Sequence, residues 1–541
     1  MKSQRNIWIW LPLIVAICLG GGIWIGHSVI KTDDGWSWGA GDNKLNNIFQ
    51  LISNEYVDRV DVDSLMELTI PQVLAKLDPH TVYIPAADFN DVNSELEGSF
   101  SGVGISFSIM NDTITVVEVV SGGPAEKVGL LAGDRIITVN DSVVAGTGVT
   151  NQQVFKMLRG VKDTQVSLGI KRSSSKDLLN YQVTRGDIPL TSIDASYLLT
   201  DTLGYVKVNK FGRTTYDEFL NALATLKADG ANSFVIDLRG NGGGFMDIAI
   251  LMANEFLEAG QPIVLTKGRD GVVEQSAYSD GHGSFKTEQV VVLIDEFSAS
   301  ASEILSGAIQ DNDRGLIIGR RSFGKGLVQR QIELPDSSAI RLTVSRYYTP
   351  AGRCIQKDYT LGGGDKYSNE ILDRFNRGET FHADSISFNE DLKFTTSTGR
   401  TVYGGGGIMP DIFVPTDTTC FTNYYFSVAN AGLLQKFVFN YADTNRMRFD
   451  SCTNVDEVLD ELPSDDALLR NFVNFASRNG IPARWYYINI SRPLLVNQLK
   501  ALIARDVLGT AAYYEIANRD DNTVGQAMKS IAKGDAAFPL K

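Results

Sequence analysis

Histidine is scarce in this 541-residue chain: there are four, His27, His80, His282 and His382. None stands in a motif that pairs it with a nucleophile, so no Ser-His or Cys-His hydrolase is written into the local sequence, although distant residues can still meet in a fold. Cysteine is equally sparse, at four residues. With no CxxC and no Cys/His spacing, a zinc site is not indicated, and neither a metal nor an organic cofactor is expected. Cys420 and Cys452 retain the option of bridging in an oxidising compartment, which spacing alone leaves open. Positive charge is in deficit, with 50 Lys and Arg against 64 Asp and Glu, a net charge of −14. No Lys/Arg-rich run is present to neutralise phosphates, which argues against a nucleic-acid partner. The composition, 43% hydrophobic and 21% charged, excludes general disorder and a polytopic membrane protein. The length implies two to four domains rather than one core.

One long apolar run is present. Lys2 and Arg5 precede an apolar stretch from Ile7 to Ile30, and Asp33-Asp34 follow it. As a helix it would span roughly 36 Å at about 1.5 Å per residue, enough for a hydrocarbon core of about 30 Å. The charge asymmetry places the N-terminus inside and the remainder outside. Residues 1–30 are therefore expected to be an anchor, with a cleaved signal sequence as the alternative. A lipoprotein site at Cys18 fits poorly, because Ile17 stands where a small residue is wanted.

Beyond the anchor, residues 31–97 read as a linker and an N-terminal helical segment, with helical spacing at Leu45, Ile48, Phe49 and Ile52 and again at Leu65, Leu68, Val73 and Leu74. From Gly98 the apolar period changes to two. Ile105, Phe107 and Ile109, then Ile114, Val116 and Val119, flank an Asn111-Asp112 turn and predict a hairpin. Short strands and two helices fill residues 98–186, a small compact domain. From residue 187 to 420 strands and helices alternate, which predicts an α/β layer with largely parallel strands. Within it Gly363 to Gly406 is Gly-rich and is expected to be irregular. Residues 421–541 are expected to be largely helical, without a cluster that suggests chemistry.

Three loops of the α/β region attract attention. Asp237-Leu238-Arg239-Gly240-Asn241-Gly242-Gly243-Gly244 lies between a strand and a helix, where glycines let N–H groups converge on an anion. A tight strand-to-helix turn explains it equally well, and it is not a dinucleotide GxGxxG. Ser298-Ala299-Ser300-Ala301-Ser302-Glu303 opens a helix, and Ser300 with Glu303 fits a capping box. A nucleophilic serine would gain from the same position, because the next N–H can face an oxyanion. Gly319-Arg320-Arg321-Ser322-Phe323-Gly324-Lys325-Gly326 nearly matches a phosphate-binding loop. Gly326, however, replaces the Mg²⁺-binding hydroxyl, and the residues after it alternate like a strand rather than a helix. Lys325 is then either an ordinary surface lysine or a general base whose pKa is lowered by burial.

Taken together in this order, these segments resemble the carboxyl-terminal processing (tail-specific) protease family over roughly Leu45 to Pro415. Tyr56-Val57-Asp58, Leu77-Asp78-Pro79-His80, Ser298 to Ile304, and Phe323-Gly324-Lys325-Gly326 followed by Gln329 carry the likeness. The resemblance implies a crotonase/ClpP-like α/β catalytic core with an inserted PDZ domain over 98–186. It implies Ser300 as nucleophile, Lys325 as base 25 positions later, and Gln329 as the residue that orients it. The N–H groups of Gly243 and Ala301 would form the oxyanion hole, while Glu303 and Asp311 would lend structural support. Gly123-Pro124-Ala125-Glu126 and Leu131 to Ile137 resemble a permuted PDZ domain, in which Gly102-Val103-Gly104-Ile105 would grip a terminal carboxylate. The implied partners are protein or peptide substrates with free apolar C-termini, the membrane through the anchor, and a second copy as a homo-oligomer. The expected location is periplasmic, on the inner membrane. A PDZ scaffold with an inactive core, and a protease dependent on His80, His282 or His382, are the competing readings.

Overall fold

The computed structural model describes residues 44–172 and 174–535, together with Ala16. The expected anchor over Ile7–Ile30 otherwise lies outside the described residues. Among the described residues, no helix is long and apolar enough to cross a membrane. The chain divides into two compact units, Met1–Gln72 and Val73–Lys541. In the first, the helix Lys44–Glu55 is amphipathic and buries Phe49, and a second helix begins at Val62.

Within the second unit, the central sheet has six strands in sequential order. Ile193–Thr200 is antiparallel to Leu203–Val208; the strands Ser233–Asp237, Gln289–Ile294, Leu316–Gly319 and Ile412–Phe413 then add in parallel. Its inner strands are buried along almost their whole length because both faces are covered. One face packs on the helices Thr215–Ala228, Met246–Asn254 and Ala301–Asp311, through Phe219, Leu223, Met252, Leu305 and Ile309. The other face, with Tyr205, Val235, Val291, Leu293 and Ile318, is covered by Val524 and Ala527 of the helix Asn522–Lys533. The end of the chain thus completes the core of the α/β layer. Arg239 at a strand end pairs with both Asp237 (2.6 Å) and Asp521 (2.7 Å), which caps that last helix.

A second, antiparallel sheet stands beside the first, formed by Val82–Ile84, Pro262–Lys267, Val273–Tyr278, Leu327–Glu333 and Ala339–Tyr348. A five-strand path, with an added short strand, and the helices Pro124–Val128 and Asn151–Leu158 enclose a third core around Ile114, Val116, Ile136 and Leu168. A helical bundle from Asn423 to Ala517 has a fourth, around Val438, Phe472, Leu499 and Ile503.

The segment from Gly363 to Gly406 departs from the irregular structure expected of it. It contains the helix Gly364–Asn376 and a hairpin of Lys393–Thr395 with Thr401–Tyr403. Its glycines flank these elements rather than interrupt them, and Tyr367 and Arg374 supply the helix's buried face. Cys420 and Cys452 do not bridge: with Cys354 they are free thiols.

Candidate active site

The apolar strand Gln289–Ile294 delivers the chain to a loop that is fastened to the Gly-rich loop at several points. Ser298 Oγ donates to the Leu238 carbonyl at 2.8 Å, and the Asn241 carbonyl accepts from Ala299 N–H (3.0 Å) and Ser302 Oγ (2.9 Å). Ser300 follows with φ 58° and ψ −113°, a conformation sparsely allowed for a residue with a side chain and one that costs of order 1–3 kcal/mol. Strain of this kind persists only where the surroundings hold it. Of the expected capping box, the Glu303 half is made: its carboxylate accepts from Ser300 N–H at 2.8 Å. The Glu303 N–H donates to the Ser300 carbonyl at 2.8 Å, and the Ser300 hydroxyl makes no cap hydrogen bond.

Lys325 reaches the same place from another loop. Fully buried Glu303 accepts from Ser322 Oγ (2.5 Å), Gly324 N–H (2.7 Å) and Lys325 N–H (2.8 Å), in addition to Ser300 N–H. Burial pushes its carboxyl above the ordinary range, against hydrogen bonds that favour the charged form. Tyr347, buried on the strand Ala339–Tyr348, donates its hydroxyl to the Lys325 carbonyl at 2.6 Å and the Ser300 carbonyl at 3.1 Å. One carboxylate and one phenol therefore bridge the backbones of the serine and the lysine. Burial lowers the pKa of Lys325, and the Arg341 guanidinium lowers it further, against Glu303 and Asp78.

Ser300, Lys325, Gln329 and Gly243 line one cleft of about 1460 Å³. Their contacts in it differ from the expected ones in two respects. The hydrogen bonds of Ser300 and Lys325 are made by backbone atoms, and none joins Oγ to Nζ among the described residues. Gln329 Nε2 donates to Thr343 Oγ1 at 3.4 Å, and Thr343 Oγ1 donates to Asp78 Oδ1 at 3.1 Å. Asp78 is itself held by Thr81 Oγ1 (2.5 Å) and by the N–H groups of His80 (2.9 Å) and Thr81 (3.0 Å). The Leu77-Asp78-Pro79-His80 segment thus supports the strand that carries Gln329.

Gly243 lies against the serine: a Cβ there would come within 2.7 Å of Ser300 Cβ and 3.0 Å of Ala301 N. The Ala301 N–H, first in its helix, has no partner among the described residues. The Gly243 N–H instead donates to Asn241 Oδ1 at 2.8 Å, and it must leave that acceptor to face an oxyanion. Of the three described histidines, only His80 lines the cleft; His282 and His382 are exposed elsewhere. Burial and the nearby Lys325 push the His80 pKa down to about 4, and its Nε2 lies 2.9 Å from the Tyr367 hydroxyl.

The Gly102–Ile105 segment does not line this cleft. Val103 is buried, with its carbonyl accepting from Ala125 N–H at 2.8 Å, and Gly104 has φ 83°. The strand Ile105–Met110 pairs on one side only, with Thr113–Val119, and forms an edge of its sheet. An edge strand has unpaired backbone groups that a peptide can extend. Sequence reasoning missed Tyr347, Thr343, Asn241 and Arg341. For Tyr347, Thr343 and Arg341 the local signal was strand alternation, which gives a face but no role, and Asn241 stood in the Gly-rich loop without a role of its own.

Residues 202–380 match peptidase family S41 and residues 92–171 match the PDZ domain; residues 424–509 match a family of unknown function. The chain is 35% identical over 318 residues to the carboxy-terminal-processing protease of Bartonella bacilliformis (strain ATCC 35685 / KC583 / Herrer 020/F12,63), covering 58% of this chain and 72% of that one. It is 35% identical over 318 residues to carboxy-terminal processing protease CtpB of Bacillus subtilis (strain 168), covering 58% of this chain and 65% of that protein. A solved photosystem II D1 C-terminal processing protease aligns at 25% identity and a TM-score of 0.34, over 69% of this chain and 93% of that one. The chain belongs to the carboxy-terminal processing protease family, within peptidase family S41 and with a PDZ domain. The match spans 65% and 62% of the length of two curated relatives, those of Bacillus subtilis (strain 168) and Staphylococcus aureus (strain N315).

Proposed function

We propose that the protein is a serine endopeptidase that selects exported or misfolded proteins by an apolar C-terminal tail. In this reading the PDZ domain takes the tail along the Ile105–Met110 edge, with Gly102-Val103-Gly104-Ile105 at its carboxylate. Ser300 Oγ attacks a peptide carbonyl, Lys325 Nζ takes the hydroxyl proton and returns it to the leaving amine, and water releases the acyl-enzyme. The Ala301 N–H, joined by the Gly243 N–H once it leaves Asn241, stabilises the oxyanion. Gln329, supported through Thr343 and Asp78, orients the lysine. No metal or organic cofactor is required by these steps. Residues 1–30 anchor the enzyme to the inner membrane with its bulk in the periplasm, and a homo-oligomer belongs to the same reading.

The observation that carries the proposal is the joint fastening of a strained serine and a pKa-lowered lysine by Glu303 and Tyr347 at one cleft. Catalytic hydrogen bonds are often long before substrate binds, which accommodates the absent Oγ–Nζ bond. The test is digestion of a protein with an apolar C-terminus by the full chain and by Ser300→Ala. Cleavage by the first and none by a folded Ser300→Ala is expected. A wild-type chain that binds the tail but cleaves nothing would be a scaffold.

A further inference from the structure

The cleft differs in charge from the rest of the chain. Against a net charge of −14 overall, its walls present Lys156, Arg159, Arg213 and Arg341 besides Lys325, the proposed base, with Glu97 and Glu333 opposing them. Glu97 is engaged by Arg213 at 2.9 Å, and His80, with a pKa of about 4, is neutral near pH 7.

Arg341 is the informative member. On the strand Ala339–Tyr348 it sits opposite Gln331, two residues from Thr343, the partner of Gln329. Alternate residues share a strand face, so Gln329, Gln331 and Arg341 form one wall. The guanidinium has five N–H donors, yet among the described residues its one side-chain hydrogen bond goes to Gln331 Oε1 at 3.1 Å. It takes part in no ion pair among the described residues, and its field reaches Lys325. Arg353, Arg374 and Arg400, by contrast, are matched by Asp311 (2.7 Å), Glu370 (2.7 Å) and Asp313 (2.5 Å). A partly buried guanidinium without a counter-charge is costly to keep. It becomes favourable when an anion arrives, because its planar fork matches a carboxylate in two parallel hydrogen bonds.

We propose that Arg341 is a specificity residue that binds a substrate carboxylate close to the cleaved bond. This rests on the protease reading of the cleft and adds a recognition element distinct from the PDZ tail site. The carboxylate comes either from an acidic side chain or from the chain terminus when that lies within a few residues of the bond.

The test uses the full chain and two peptide pairs. One pair carries Glu or Gln within three residues after the bond and shares a distant apolar tail, so the PDZ contribution is common to both. The other has neutral side chains and ends within three residues of the bond as a free acid or an amide. The ratio of kcat/KM within each pair is measured for wild type, Arg341→Gln and Arg341→Lys. Dissociation constants are measured in parallel on a Ser300→Ala background with and without Arg341→Gln. Wild type should favour the carboxylate member of at least one pair by about tenfold, the scale of a charge-assisted hydrogen bond. The pair that shows this preference identifies the source. Arg341→Gln should reduce the ratio to within about twofold of one, and Arg341→Lys should retain part of it. A ratio near one in both pairs for wild type, or a ratio unchanged in Arg341→Gln, overturns the proposal. If no peptide is cleaved, the protease reading fails, and the binding ratios still decide the role of Arg341.

Discussion

Gly243→Ala is the substitution that most sharply probes how the Gly-rich loop serves the serine. Gly243 has φ 100°, and a Cβ placed on it would lie 2.7 Å from the Ala299 carbonyl oxygen, 2.7 Å from Ser300 Cβ and 3.0 Å from Ala301 N. Two of these neighbours are backbone atoms that cannot rotate away. Alanine at positive φ costs roughly 1–2 kcal/mol before any clash is counted. The contacts are relieved only by moving the loop away from the serine turn, and a shift of about 1 Å at a reacting group can cost about 100-fold in rate. We therefore expect kcat/KM on an apolar-tailed peptide to fall by about 100-fold or more. The melting temperature should fall only modestly, about 2–4 °C for each kcal/mol lost in a domain of this size. Gly242→Ala is the control, since its Cβ would meet nothing within 4 Å and its φ is not in the left-handed region. It should keep activity and gain a few tenths to about 1 kcal/mol through the unfolded chain. Wild-type activity in Gly243→Ala, or equal losses in the two variants, would refute this account of the loop.

Tyr347→Phe keeps the ring and removes the hydroxyl that bridges the Lys325 and Ser300 carbonyls. It should lower kcat by about tenfold or more with KM little changed, at a stability cost of about 1–3 kcal/mol for the buried acceptor left behind; steady-state kinetics and thermal melts check both. His80→Gln should lower activity less than tenfold and leave the acidic limb of the pH profile unmoved, because His80 is already neutral above about pH 4. A loss of 100- to 10,000-fold, the range for removing a general base, would instead support the histidine-dependent reading.

Much of the architecture was legible because it follows local rules. The alternation of strands and helices from residue 187 and the hairpin across Asn111-Asp112 each follow from patterns within single segments. The strands Pro262–Lys267 and Val273–Tyr278 escaped notice. The second has four of its six residues exposed or polar-facing before Ala277, and such an edge carries little apolar alternation. The helix Gly364–Asn376 was hidden by the glycines beside it. The end of the chain was opaque because its role is tertiary: Val524 and Ala527 matter only once a sheet face is there to be covered.

The site divides along the same line. Ser300 and Lys325 were singled out by motif order, yet alone each had an ordinary explanation as a cap or a surface lysine. What joins them, Glu303 from within the serine helix and Tyr347 from 47 residues away, is a matter of geometry. Periodicity could place Tyr347 on a strand, but no spacing rule predicts that its hydroxyl meets two carbonyls from different loops. Nor could sequence show that Gly243 N–H faces Asn241 or that Gln329 contacts Thr343.

The central claim is that Lys325, its pKa lowered by burial and by Arg341, activates Ser300 as a general base. Phosphonylation of the serine hydroxyl by a fluorophosphonate reagent, with loss of fluoride, measures that step without requiring a known substrate. The label should map to Ser300, and Lys325→Ala should slow its attachment by about 100-fold or more. Because burial lowers the lysine pKa, the free amine persists to lower pH than in an exposed lysine and is lost as pH falls. The wild-type rate should therefore rise with pH through an apparent pKa well below the unperturbed value of about 10.4. Labelling of Lys325→Ala at the wild-type rate, or a wild-type profile that titrates near the unperturbed value, would contradict the account.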